Sequence, residues 1–101
     1  MAAFGLAALS FSPASSFAAD GAQLAQKSGC MACHSMDKKV LGPAFKDVAA
    51  KYKGNADASA LLAKKVKGGG GGAWGPIPMP AHAAVSDADI KTMVDWVLAS
   101  N

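Results

Sequence analysis

From residue 20 onwards the apolar positions recur at helical intervals, and no alternating apolar/polar run of strand length appears. The clearest stretch is 87–99, where Ile90, Met93, Val94, Val97 and Leu98 fall at i, i+3, i+4, i+7 and i+8 and so share one helix face. Ser86 stands at its cap with Asp89 three residues on, a capping-box pattern. Three more helices follow from the same reading. One spans 21–29, with Asp20 as N-cap and Gly29 as stop. One spans 44–52, opened by Gly42-Pro43 and ended by Gly54-Asn55. One spans 58–67, with Asp57 at the cap and lysines in the last turn, where the helix dipole favours cations. The expected fold is all-α, with four helices in one small domain.

Two stretches fall outside this pattern. Residues 1–19, "MAAFGLAALSFSPASSFAA", carry no charge and end in small residues suited to signal cleavage. Pro13 and the serines break them up too much for a membrane-spanning helix, which needs roughly 20 consecutive apolar residues. Residues 1–19 are read as a secretory signal peptide, and 20–101 as the folded domain. The missing basic n-region implies a start upstream of Met1 or a trimmed segment. The second stretch, 68–85, is a long irregular connection, and in so small a domain such a loop is usually functional. It opens with five glycines, 68–72, read as a flexible connector without chemistry.

Composition changes the picture in one respect. A domain of this size has little core of its own and needs a staple such as a disulfide, a metal or a bound cofactor. Charge adds less. The net charge of +3 comes from ten lysines and seven aspartates. It suits steering toward an acidic protein patch, and is too weak and scattered for nucleic-acid binding.

The staple is legible at residues 30–34, Cys-Met-Ala-Cys-His. This C-x-x-C-H run is the attachment signature of haem c. Two thiols at this spacing can each form a thioether to one vinyl group of a single porphyrin, and the histidine that follows is carried beneath the ring. Other readings compete. A redox C-x-x-C belongs in a strand–helix–strand setting, which this pattern lacks. Zinc wants four ligands, and Cys30, Cys33, His34 and His82 supply them only at an unfamiliar spacing.

A haem iron held by His34 takes a second ligand or keeps an open position. Met31 lies inside the motif and Met36 follows it too closely, while Met93 sits on an apolar helix stripe that reads as core. Met79 and His82 remain. Met79 is enclosed in "WGPIPMP", residues 74–80, where Pro76, Pro78 and Pro80 fix φ around one weak thioether ligand. Met79 is the expected ligand, with a rigid surface loop or His82 ligation as alternatives.

With these residues in view, the chain resembles a class I c-type cytochrome of the c-551, or c8, group. The resemblance rests on "GCMACH" at 29–34, "LGPAFKDVAAKY" at 41–52, "AWGPIPMP" at 73–80 and "DWVLAS" at 95–100, and covers the whole of 20–101. It implies helices wrapped around one covalent haem c held by Cys30 and Cys33, with His34 and Met79 as axial ligands. Pro43 would offer its carbonyl to the other ring nitrogen of His34. Trp74 would donate its indole N–H to a propionate, the alternative being a packed core aromatic. Lys65 would lie near a propionate, or on a solvated helix face. Relatives often carry Pro-Pro-Asn after the ligand methionine, and the asparagine donates near the sulfur. Here the chain reads Pro80-Ala81-His82, and His82 would donate instead or point to solvent. The function implied is that of a periplasmic, monomeric, non-enzymatic electron carrier. It would bind neither nucleic acid nor membrane, and would dock on acidic patches of redox proteins. A respiratory cytochrome complex is the implied donor, and a nitrite reductase or terminal oxidase the acceptor. A ligand-sensing or peroxidase-like haem protein, or a haem subunit of a larger oxidoreductase, are the competing classes.

Overall fold

The computed structural model describes Gly5 and residues 14–100, with side chains from Asp20 onwards. The predicted signal segment therefore lies largely outside the described residues. Four α-helices follow in order: α1 (Ala14–Lys27), α2 (Phe45–Lys51), α3 (Ala58–Gly68) and α4 (Asp87–Leu98), with a 3₁₀ turn at Cys30–Ala32 between α1 and α2. Among the described residues the only β-type pairings are two isolated bridges, His34 with Lys39 and Gly70 with Met79. The all-α expectation is met. No described helix is long and apolar enough to cross a membrane.

Helix α4 is the hub and packs against α1, α2 and α3. Its predicted stripe supplies the core: Ile90, Met93 and Val94 are buried together with Ala25 of α1, and Leu24, Leu62, Val66 and Trp96 close around them. Burying a side chain such as Ile90 stabilises the fold by about 1.5–3 kcal/mol. The approach of α1 to α4 depends on Gly21, where an added Cβ would overlap the Cβ of Trp96 and stand 2.7 Å from its Cγ. Ser86 caps α4 as expected, its Oγ accepting from the Asp89 amide at 3.2 Å.

Two predicted caps are not used. Asp20 lies inside α1, because no glycine or proline interrupts residues 14–19 and the helix continues back through them. Asp57 holds the cap position of α3 but makes no side-chain cap bond. Its φ of −92° and ψ of −1° are helical rather than extended, and an N-cap side chain reaches its amide from an extended backbone. Its own amide donates instead to Asn55 Oδ1 at 2.9 Å.

Polar links tie α3 to α4. Ser59 Oγ donates to Asp95 Oδ1 at 2.6 Å, and Lys91 Nζ donates to Asp95 Oδ2 at 2.5 Å. Lys67 Nζ donates to the Val85 carbonyl at 2.7 Å and pairs with Asp87 at 3.2 Å. Partial desolvation pushes the Asp95 carboxyl up, but the hydrogen bonds from Lys91 and Ser59 and the charge of Lys91 together hold it below its ordinary value. A carboxyl depressed in the folded state stabilises above its unfolded pKa, and the contribution is lost as pH falls through the folded value. Asp95→Asn is therefore expected to cost roughly 1 kcal/mol near neutrality. The gap to the parent protein should close in acid, below the ordinary aspartate range. Urea unfolding of both proteins across that range checks the sign, and a gap that widens in acid would contradict it.

Candidate functional site

The site begins where α1 stops. Gly29 takes φ +80°, a left-handed conformation that a side chain would strain, and the chain turns sharply there. The turn that follows is held by the Cys33 and His34 amides, both donating to the Cys30 carbonyl, at 3.3 and 3.0 Å. Both cysteines are free thiols and half-buried. Burial first, and then the neighbouring Cys33, push the Cys30 thiol above its ordinary value despite a backbone hydrogen bond. A redox or nucleophilic cysteine needs the opposite shift, so Cys30 is not built as an activated thiol.

His34 is oriented by the loop that follows it. The Gly42 amide donates to the Cys33 carbonyl at 2.7 Å, which folds residues 35–43 back on the turn. The Pro43 carbonyl then lies 2.7 Å from His34 Nδ1. A carbonyl can only accept, so Nδ1 carries the hydrogen, and in the neutral ring Nε2 is the nitrogen that keeps a lone pair. Phe45, the first residue of α2, stacks on the imidazole with centroids 5.0 Å apart and planes at 21°. Gly42 lies so close that a Cβ there would stand 2.6 Å from His34 Cε1. The ring is thus held by one hydrogen bond and by packing.

The Trp74 loop is tied at both ends. Gly70 exchanges two backbone hydrogen bonds with Met79, its amide donating at 3.0 Å and its carbonyl accepting at 2.8 Å. Inside this pair the Gly72 amide donates to the Gly75 carbonyl at 3.1 Å. The five glycines are therefore not the free connector that their composition suggests. Gly68 is the last residue of α3, and Gly69, Gly70 and Gly71 form a strap laid against residues 77–81. The approach leaves no room for a Cβ at 69 and makes one tight at 71, and Gly69, Gly70 and Gly72 all adopt positive φ. From α2, Lys51 Nζ sits 4.5 Å above the Trp74 ring and donates to the Ala73 carbonyl at 3.3 Å. Trp74 is 38% exposed, so it is not a packed core aromatic.

These pieces enclose a cavity of about 330 Å³, within the usual range of a cofactor site. Cys30, Cys33, His34, Pro43, Lys65, Trp74 and Met79, each singled out in the sequence, all line it. Apart from Lys39 the remaining walls are apolar, with Leu62 and Val66 from α3 and Met93, Val94 and Val97 from α4. His82 is not in the wall. Its amide donates to the Val66 carbonyl at 2.9 Å. The zinc set that needed His82 is therefore not assembled. Sequence reasoning missed Phe45, Gly42 and Gly70. The first two are two residues to either side of Pro43 or nearer, so the Gly-Pro turn pointed to their neighbourhood. Nothing in a run of five glycines says which one will pair.

The arrangement is that of a haem crevice, with two thiols, an imidazole with a free Nε2, a thioether and an apolar interior. Comparison with known proteins agrees. The family described as Cytochrome c matches residues 18–101. The chain belongs to the cytochrome c family. Cytochrome c-552 of Nitrosomonas europaea is 54% identical over 82 residues, covering 81% of this chain and 80% of that one. Cytochrome c-551 of Pseudomonas aeruginosa is 52% identical over 83 residues, covering 82% and 79%. The crystal structure of the wild-type Nitrosomonas europaea cytochrome c552 matches with a TM-score of 0.77 over 79% of this chain and 99% of that chain. Within the family this is a class I c-type cytochrome of the c-551 group, a helical electron-transfer protein with one covalently attached haem c. The cysteines open to that attachment are Cys30 and Cys33, since the chain has no others.

Proposed function

We propose that the protein is a periplasmic one-electron carrier whose haem is held by Cys30 and Cys33 and ligated by His34 and Met79. The observation that carries this reading is the shared wall. An imidazole whose Nδ1 is spent on Pro43 and a thioether whose backbone is pinned by Gly70 face one apolar cavity together with both thiols. When bound, the haem supplies a ferric/ferrous couple. The protein's residues set the conditions for it. His34 keeps a fixed tautomer through Pro43. Met79 favours the reduced state, which raises the potential. Leu62, Val66, Met93, Val94 and Val97 exclude water from the cavity, which acts in the same direction. Trp74 and Lys65 line the cavity with an N–H and an ammonium and suit the propionates. With His34 and Met79 both holding the iron, no position would be left for a substrate, and the protein would carry electrons rather than catalyse a reaction.

Docking is assigned to the rim. Leu41 and Ile77 line the cavity yet are 55% and 59% exposed, and Lys39 lies beside them in the same wall. A small apolar contact flanked by positive charge suits brief encounters with acidic patches of redox partners. By resemblance these are a respiratory cytochrome complex and a nitrite reductase or terminal oxidase, met by a monomer. Export removes residues 1–19. The uncharged composition of that segment and a family match that begins at residue 18 support this.

Optical spectra of the purified holoprotein test the reading. The reduced protein should show sharp c-type bands and no response to carbon monoxide, and the oxidised protein a weak long-wavelength sulfur-to-iron band. In Met79→Ala that band should vanish and carbon monoxide should bind readily. A variant spectrum identical to the parent's would remove Met79 from the site and return the sixth position to another group.

A further inference from the structure

We propose that the glycine strap, residues 69–71, is a positioning element for Met79: the strap's backbone, and not the prolines alone, sets where the thioether can stand. This rests on the reading of Met79 as an axial ligand. Prolines fix dihedral angles, so they make 76–80 stiff, but a stiff segment can still shift as a rigid body. A weak ligand on such a segment needs a positional restraint as well as a conformational one.

The strap supplies it. Pro78 and Pro80 have no N–H, so the Met79 amide is the sole donor among these three residues, and it is spent on Gly70. The Met79 carbonyl accepts from the same glycine, so one residue satisfies both backbone groups of the ligand. The fit on either side is close. A Cβ at Gly69 would stand 2.7 Å from the Met79 carbonyl oxygen, 2.8 Å from the Ala81 nitrogen and 3.1 Å from the Pro80 carbonyl carbon. All three are backbone atoms and cannot swing aside. Gly69 also holds φ +71° with ψ −167°, a region open essentially to glycine alone. At Gly71 a Cβ would come within 3.1 Å of Pro78 Cα, although its φ is not in the left-handed range. The strap's other end is anchored to the frame of the molecule. The Gly69 amide donates to the Lys65 carbonyl of α3 at 2.7 Å, and α3 is bound to α4 through Ser59–Asp95 and through Lys67 with Val85 and Asp87. The position of Met79 is thereby referred to α4, whose Met93, Val94 and Val97 form part of the cavity wall.

The test compares Gly69→Ala, Gly71→Ala, Met79→Ala and Gly54→Ala holoproteins. Gly54 is the control for strain alone, with φ +80° and nothing within 4 Å of an added Cβ. The readouts are the sulfur-to-iron band of the oxidised protein, carbon monoxide uptake by the reduced protein, and the melting midpoint. Gly69→Ala should lose most of the band and take up carbon monoxide about tenfold more readily, the scale expected for displacing a strained backbone site. Gly71→Ala should move the same way by a smaller amount, and it decides the matter if Gly69→Ala does not fold. Gly54→Ala should lower the midpoint and leave the band intact. The proposal is overturned if Met79→Ala abolishes the band while the folded strap variants keep it, or if Gly54→Ala weakens it equally. An unchanged band in Met79→Ala itself would instead remove the ligand reading, and the strap's role with it.

Discussion

Replacing Cys30 and Cys33 together by alanine is expected to leave the chain largely unfolded, with most of its far-ultraviolet helix signal gone. The reason lies in how little the described residues bury without the cofactor. The buried apolar set is Ala25, Ala44, Phe45, Val48, Ala49, Ala58, Ile90, Met93 and Val94, and alanine accounts for four of these. Leu62 and Val66 of α3 and Val97 of α4 are only half-buried and turn apolar surface to the cavity instead. Without the haem this apolar crevice of about 330 Å³ is left open to water, so the side chains that line it contribute little burial, and a small domain has only about 5–15 kcal/mol of stability to lose. Covalent attachment keeps the cavity filled at an effective concentration that free binding cannot match. Circular dichroism and urea titration of the double variant check this. A cooperative transition with the parent's helix content would mean that the helices carry the fold unaided.

Gly21→Val is the second large effect, an expected loss of about 2–3 kcal/mol and thus ~10–20 °C in melting temperature. The new side chain would begin inside the Cβ of Trp96 and lie 3.3 Å from the Thr92 carbonyl oxygen, so α1 and α4 must separate. The damage should reach the site as well. Trp96 meets Phe45 edge-on, with centroids 5.4 Å apart and planes at 73°, and Phe45 stacks on His34. Gly68→Ala is the control, because a Cβ there meets nothing within 4 Å and the residue ends a helix in ordinary geometry. It should be neutral or stabilising by about 0.4–1 kcal/mol. Differential scanning calorimetry separates the two, and equal midpoints for both variants would remove the crossing point as a constraint.

Much of this was legible in the chain itself. Helix α4 follows from the spacing of Ile90, Met93, Val94 and Val97 with Ser86 at its cap, because amphipathic period and capping are local properties. The site residues were legible because their chemistry is unusual in short sequence windows: two cysteines and a histidine in five residues, one methionine among three prolines. Local signals misled where two structures satisfy the same local rule. Asp20 could cap a helix or lie within one, and the absence of a breaker at 14–19 decided for the second. Asp57 stands at the right place with the wrong backbone angles for its side chain to reach back.

Sequence alone determined the helical class, the covalent haem motif and the candidate ligands, since each is written in periodicity or in residue type at fixed spacing. Only the tertiary structure decided what holds those ligands. Pro43 meets His34 nine residues away because the Gly42 amide closes the loop between them. Gly70 meets Met79 because α3 delivers the strap to that place, where absent side chains let two backbones touch. A glycine carries no pattern of its own, and its meaning depends on what lies against it.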